Sequence, residues 1–212
     1  MSIPIKALNK RTPIRLSPVH ILVLKLVIHG ICLGMLGNIL YLAIYDKIPG
    51  DPVDALLHFS GISAVNMLLF SLLLSPVAKG LKMGMLISLR RVSGLYALFF
   101  ATLHIITFVA FELQFEWTLI GREIIERPFI TVGLVAWLLL ILLAVTSVNT
   151  LKRKMGRTWQ QLHNWVYLAA LLAVIHYYWS VKSGFTEPLL YIVAVAALLY
   201  LRREKLLKHL RR

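Results

Sequence analysis

The chain has 212 residues, of which 59% are hydrophobic and 15% charged; its mean hydropathy of +0.78 excludes both a water-soluble globule and a disordered polypeptide. A single cysteine, Cys32, excludes a disulfide scaffold, a thiolate zinc site and a four-cysteine iron–sulfur cluster. The net charge of +14 would suggest nucleic acid in a soluble protein, but on this apolar background it points to a membrane surface, with no nucleic acid required.

Apolar runs long enough to cross about 30 Å of hydrocarbon occupy residues 19–45, 55–78, 92–111, 129–148 and 162–181. A sixth run, 188–201, has 14 residues and spans only if its helix continues into Arg202 and Arg203, whose side chains would then snorkel to the surface. The first run follows a basic stretch (Lys6, Lys10, Arg11, Arg15) and has no small-residue cleavage site, so it reads as a retained helix. Net charge is positive at 1–18, negative at 46–54, positive at 79–91, negative at 112–127, positive at 152–157, neutral across the loop holding Lys182 and Glu187, and positive at 202–212. That alternation is the positive-inside pattern of a six-helix bundle with both termini cytoplasmic. The predicted fold is therefore an all-α integral membrane protein. It has a cytoplasmic N-terminal segment (1–18), one six-helix domain (19–201) and a basic tail (202–212) lying on anionic lipid headgroups. No internal repeat or long linker is visible. Gly30, Gly34 and Gly37 suggest close helix packing, Gly61, Gly94 and Gly133 suggest room for a bulky ring, and the tryptophans read as an aromatic belt.

Ionisable groups inside spans are costly and mark function. Those present are Lys25, His29, His58, His104, His163 and His176, with no carboxylate among them. His104 stands as far along the chain from Arg91 as His176 does from His163. With a constant rise per residue, the two reach matching depths on helices that enter from the same side. Two imidazoles facing each other across an apolar macrocycle are the ligand set of bis-histidine haem b; no covalent attachment motif is present, and zinc would need further ligands. His29 and His58 read as histidines satisfied at helix interfaces.

A second haem at the cytoplasmic side would pair His163 with the third span near Arg90, a guanidinium that is a poor iron ligand but a good partner for a propionate or a flavin phosphate. His163 and His176 also lie about 140° apart on a regular helix. With no proline between them, either a π-bulge corrects the face or His163 serves another site.

Several blocks carry a family resemblance: Gly50-Asp51-Pro52-Val53, His58-Phe59-Ser60-Gly61, Leu89-Arg90-Arg91, Ala101-Thr102-Leu103-His104, Gly121-Arg122-Glu123-Ile124, Trp159-Gln160-Gln161-Leu162-His163-Asn164 and Ile175-His176-Tyr177. Over about residues 50–182 the chain resembles the MsrQ family, haem-binding membrane subunits of bacterial methionine sulfoxide reductase systems. More distantly it is similar to the membrane domain of ferric reductases and NADPH oxidases. The resemblance implies a bacterial inner-membrane electron-transfer subunit, with His104, His163 and His176 as haem ligands. Electrons would come from the quinone pool and leave to a periplasmic molybdopterin partner of the MsrP type, which itself reduces the sulfoxide. It also implies FMN; Arg90 and Arg91 with Lys152, Arg153, Lys154 and Arg157 form the basic face suited to its phosphate, and a cytosolic flavin reductase is then an alternative donor. The competing readings are a small transporter and a structural anchor, with the histidines in a non-redox role.

Overall fold

The computed structural model describes residues 17–203. Most of segment 1–18, with its four basic residues, and most of tail 202–212 lie outside the described residues. α1 (Pro18–Ile44) starts at Ser17, whose hydroxyl and the His20 ring form a reciprocal cap, with Pro18 at the first helical position. α2 (Pro52–Gly80) starts in the same manner, Asp51 Oδ1 accepting from the Val53 N–H at 2.9 Å. A 3₁₀ turn (Gly84–Ser88) leads into α3 (Leu89–Thr107), which ends in a π turn (Phe108–Glu112). Then come α4 (Trp117–Glu126), α5 (Pro128–Val145), α6 (Asn149–Met155), α7 (Arg157–His163), α8 (Val166–Ser180) and α9 (Thr186–Leu201).

Four stretches are long and apolar enough to cross a membrane: Pro18–Ile44, Pro52–Gly80, Gly84–Glu112 and Pro128–Val145. The fifth and sixth predicted spans correspond to shorter helices, α8 with 15 residues and α9 with 16. The bundle is built from two principal pairs, α2 on α3 and α5 on α8, joined where α3 meets α5. Leu68, Leu72, Ala97, Leu140, Ala169 and Ala170 form the shared core. α9 seals one flank through Val195 against Val65 and Val174, and α1 packs on the other through Ile21, Ile28 and Cys32.

Three expectations need correction. Gly30, Gly34 and Gly37 face open space among the described residues, so they are not an internal packing seam. α1 turns its apolar side outward there, as a lipid-facing helix does. Arg202 does not snorkel: it is 8% exposed and donates to the Tyr167 hydroxyl and, at 3.0 Å, to the Leu72 carbonyl. The cause lies in α2, where Pro76 has no N–H for the carbonyl four residues earlier, and Arg202 supplies the missing donor. Trp137 and Trp159 point inward, donating to Thr102 Oγ1 and the Thr146 carbonyl; Trp117, Trp165 and Trp179 are exposed, as a belt requires.

Lys79, Lys82, Arg90, Arg91 and Lys152, from the basic segments between helices, surround one cavity at what is called here the basic end; 46–54 and 112–127 lie at the opposite ends of α2 and α3, the acidic end.

Candidate functional site

His104 on α3 and His176 on α8 meet in the half of the bundle toward the acidic end. Their ring centroids are 6.1 Å apart and their planes cross at 85°. Each ring is fixed by a backbone carbonyl of the neighbouring helix: His104 Nδ1 lies 3.0 Å from the Leu57 oxygen and His176 Nδ1 lies 2.7 Å from the Phe129 oxygen. A carbonyl only accepts, so Nδ1 carries the proton in both histidines and Nε2 keeps its lone pair. A hydrogen bond of this kind orients a metal-binding imidazole and raises the basicity of its free nitrogen.

This donor set fits haem. Metal–imidazole bonds of about 2.0–2.1 Å, with each ring centroid about 1.1 Å behind its nitrogen, would put two imidazoles sharing one metal about 6.2–6.4 Å apart. Among the described residues no three His, Cys, Asp or Glu side chains converge as a zinc site would require. Two neutral imidazoles in apolar surroundings, with Phe129 6.0 Å from the His176 ring, suit a porphyrin, which is itself largely apolar.

His163 lies elsewhere. α7 ends at His163 and α8 begins at Val166, so a break at Asn164 and Trp165 changes the helical face between His163 and His176. The π turn of this chain instead follows α3. The His163 ring stacks on Trp159 at 4.0 Å, and its Nε2 lies 3.1 Å from Thr146 Oγ1. That hydroxyl donates to the Leu142 carbonyl at 2.7 Å, so it receives the Nε2 proton and leaves Nδ1 as the open nitrogen of His163.

His163, Arg90 and Arg91 instead share a cavity of about 1390 Å³ at the basic end, between α2, α3, α5 and α8. Lys79, Lys82, Lys152 and Arg202 also line it, and no acidic residue is among its described lining. Two polar atoms, Ser75 Oγ and Arg90 Nε, are buried without a hydrogen-bond partner among the described residues. A chamber whose charged lining is basic throughout and that holds orphaned donors suits an anionic ligand.

His29 bonds the Tyr96 hydroxyl at 2.6 Å, a contact between helices. His58 Nε2 stands 4.0 Å from Glu187 Oε2, with both side chains about half exposed.

The ferric reductase like transmembrane component matches residues 60–174. Two relatives, from Pectobacterium carotovorum and Pectobacterium atrosepticum, are each 42% identical over 194 residues, covering 90% of this chain and 96% of theirs. Both are named protein-methionine-sulfoxide reductase heme-binding subunit MsrQ. The chain belongs to the MsrQ family. The matched ferric reductase-like segment contains His104 and His163 and stops two residues short of His176, while the MsrQ likeness extends over nearly the whole chain. With four spans and a transmembrane family component, this MsrQ-family chain is a multi-pass membrane protein.

Sequence reasoning missed the partners of the two histidines and the role of Arg202. The carbonyls of Leu57 and Phe129 leave no mark in residue type. Pro76 was the available signal for Arg202, because a proline inside a helix always frees one carbonyl.

Proposed function

We propose that this chain is the haem b electron-transfer subunit of a methionine sulfoxide reductase system in a bacterial inner membrane. In this reading six helices cross the bilayer, α7–α8 and α9 supplying the last two, with both termini and the basic end cytoplasmic. The observation that carries it is the pair His104 and His176, spaced and protonated as axial ligands require. When bound, haem b supplies a one-electron couple. His104 and His176 would hold it toward the periplasmic side, and the carbonyls of Leu57 and Phe129 keep Nδ1 protonated, leaving Nε2 as the nitrogen free to ligate.

At the cytoplasmic side, Arg90, Arg91 and His163 line the chamber for a second, anionic cofactor, FMN or a further haem. Arg90 precedes His104 by 14 residues, about 21 Å along α3, so the two sites occupy opposite halves of the membrane. Electrons enter from quinol or, through the cytoplasmic chamber, from a flavin reductase. They leave at the acidic face, 46–54 and 112–127, to a periplasmic molybdopterin partner of the MsrP type, where the sulfoxide is reduced.

The test uses the purified full chain with its haem chemically reduced. Adding the periplasmic molybdenum enzyme together with methionine sulfoxide is expected to reoxidise the haem, and adding either alone is not. A haem that stays reduced with both present contradicts the assignment; a preparation without haem leaves the transporter or anchor reading.

A further inference from the structure

The two histidine seats are built alike. Each carbonyl lies 47 residues before its histidine. Four residues after each carbonyl stands a glycine, Gly61 after Leu57 and Gly133 after Phe129. A Cβ on Gly61 would lie 3.2 Å from His104 Nδ1; on Gly133 it would lie 2.7 Å from His176 Nδ1, 2.9 Å from Cε1 and 3.0 Å from Cγ. The offset in the chain from Leu57 to Phe129 is therefore the same as that from Gly61 to Gly133 and from His104 to His176. Leu68 with Leu140 and Ala97 with Ala169 repeat it in the shared core. The pairs α2–α3 and α5–α8 are thus two copies of one design, a repeat hidden by the dissimilarity of most of the residues around it.

The physical reason for glycine is local. In an α-helix the carbonyl of residue i points along the axis toward residue i+4, so a side chain there screens it from a lateral donor. Without that Cβ, an imidazole rests against the backbone and shares the carbonyl. A methyl group on Gly133, only 2.7 Å from His176 Nδ1, overlaps the rigid ring itself, and the helix backbone behind it has little room to yield.

We infer that Gly61 and Gly133 are positioning residues: each leaves out a Cβ so that a histidine can sit on the carbonyl four residues earlier, and together the two seats hold the imidazole planes crossed. The inference rests on the haem reading above. Because each ring is fixed by a different helix pair, the 85° crossing is set by the bundle, and a haem held between the two rings would meet them crossed. Imidazole planes crossed in this way would leave the iron d orbitals that carry the unpaired spin nearly degenerate, so the ferric haem-loaded chain is expected to show one strongly shifted, large-g electron paramagnetic resonance feature. The carbonyl bonds enrich Nε2 and favour the ferric state.

The experiment compares the full chain with Gly133→Ala, Gly61→Ala and Gly34→Ala, purified with haem. The last is a control whose added Cβ meets open space. Gly133→Ala is expected to shift or split the large-g feature and raise the midpoint potential, as the His176 ring leaves its carbonyl. Gly61→Ala, with the wider 3.2 Å approach, is expected to shift both in the same direction by less, and Gly34→Ala to change neither. If Gly133→Ala does not accumulate, Gly61→Ala decides. Resonance and potential like those of the unsubstituted chain in whichever of the two variants folds overturn the inference, whereas an unsubstituted chain that binds no haem overturns the reading beneath it.

Discussion

Arg202 offers the sharpest test of how the bundle is tied together. Its Nη2 donates at 3.0 Å to the Leu72 carbonyl, and Pro76 denies that carbonyl its helical N–H. A hydrogen bond from a charged donor contributes about 1.5–3 kcal/mol, and an acceptor left buried and unsatisfied costs about 1–3 kcal/mol. Arg202→Met, which keeps most of the packing of the stem, is therefore expected to destabilise the chain by about 3 kcal/mol. Pro76→Ala introduces an N–H at position 76 that can take the same carbonyl. In that background the cost of Arg202→Met should fall by about 1–2 kcal/mol, while the lost bond to the Tyr167 hydroxyl contributes equally to both and cancels. The assay is reversible unfolding of the full chain in mixed micelles on titration with a denaturing detergent, followed through the four variants of the cycle. Costs that add to within about 0.5 kcal/mol would show that Arg202 does not substitute for the proline's missing donor.

Other outcomes follow from the same contacts. Arg90→Ala should alter binding of flavin or inorganic phosphate at the basic chamber, read by fluorescence or calorimetry, while leaving the absorption spectrum of haem at His104 and His176 unchanged; loss of that spectrum would place Arg90 at the wrong site. Thr146→Val removes the acceptor of the His163 Nε2 proton and should cost about 1 kcal/mol in unfolding; a neutral result would mean that water replaces the hydroxyl there. His58→Ala breaks a half-exposed 4.0 Å pair with Glu187 and a 6.4 Å ring contact with Tyr177, so the expected change is about 1 kcal/mol or less, and a much larger loss would show that the pair is screened from solvent.

What the sequence reveals and what it hides divide along one physical line. Depth along a helix is legible, because the rise per residue is constant. Residue counts from basic boundaries match His104 with His176, and the structure brings their rings together. Azimuth is legible only while a helix stays regular. Between His163 and His176 the chain changes face at Asn164 and Trp165, which neither proline nor glycine signals. Glycine spacing misleads at Gly30, Gly34 and Gly37, where an added Cβ would meet nothing among the described residues. Gly61 and Gly133, far apart in sequence, prove to be the close approaches. Their common offset is hidden because backbone carbonyls at Leu57 and Phe129 do the same work under unlike side chains. Arg202 reads as a surface charge from its place after an apolar run, whereas a carbonyl orphaned on another helix draws it inward.

The most direct measurement is the reduced-minus-oxidised absorption spectrum of the full chain purified from haem-replete cells, compared across His104→Ala, His176→Ala and His29→Ala. A sharp b-type Soret shift in the unsubstituted chain and in His29→Ala, lost or converted to a high-spin form in the other two, is the predicted pattern. A full low-spin spectrum surviving the loss of either His104 or His176 would contradict it.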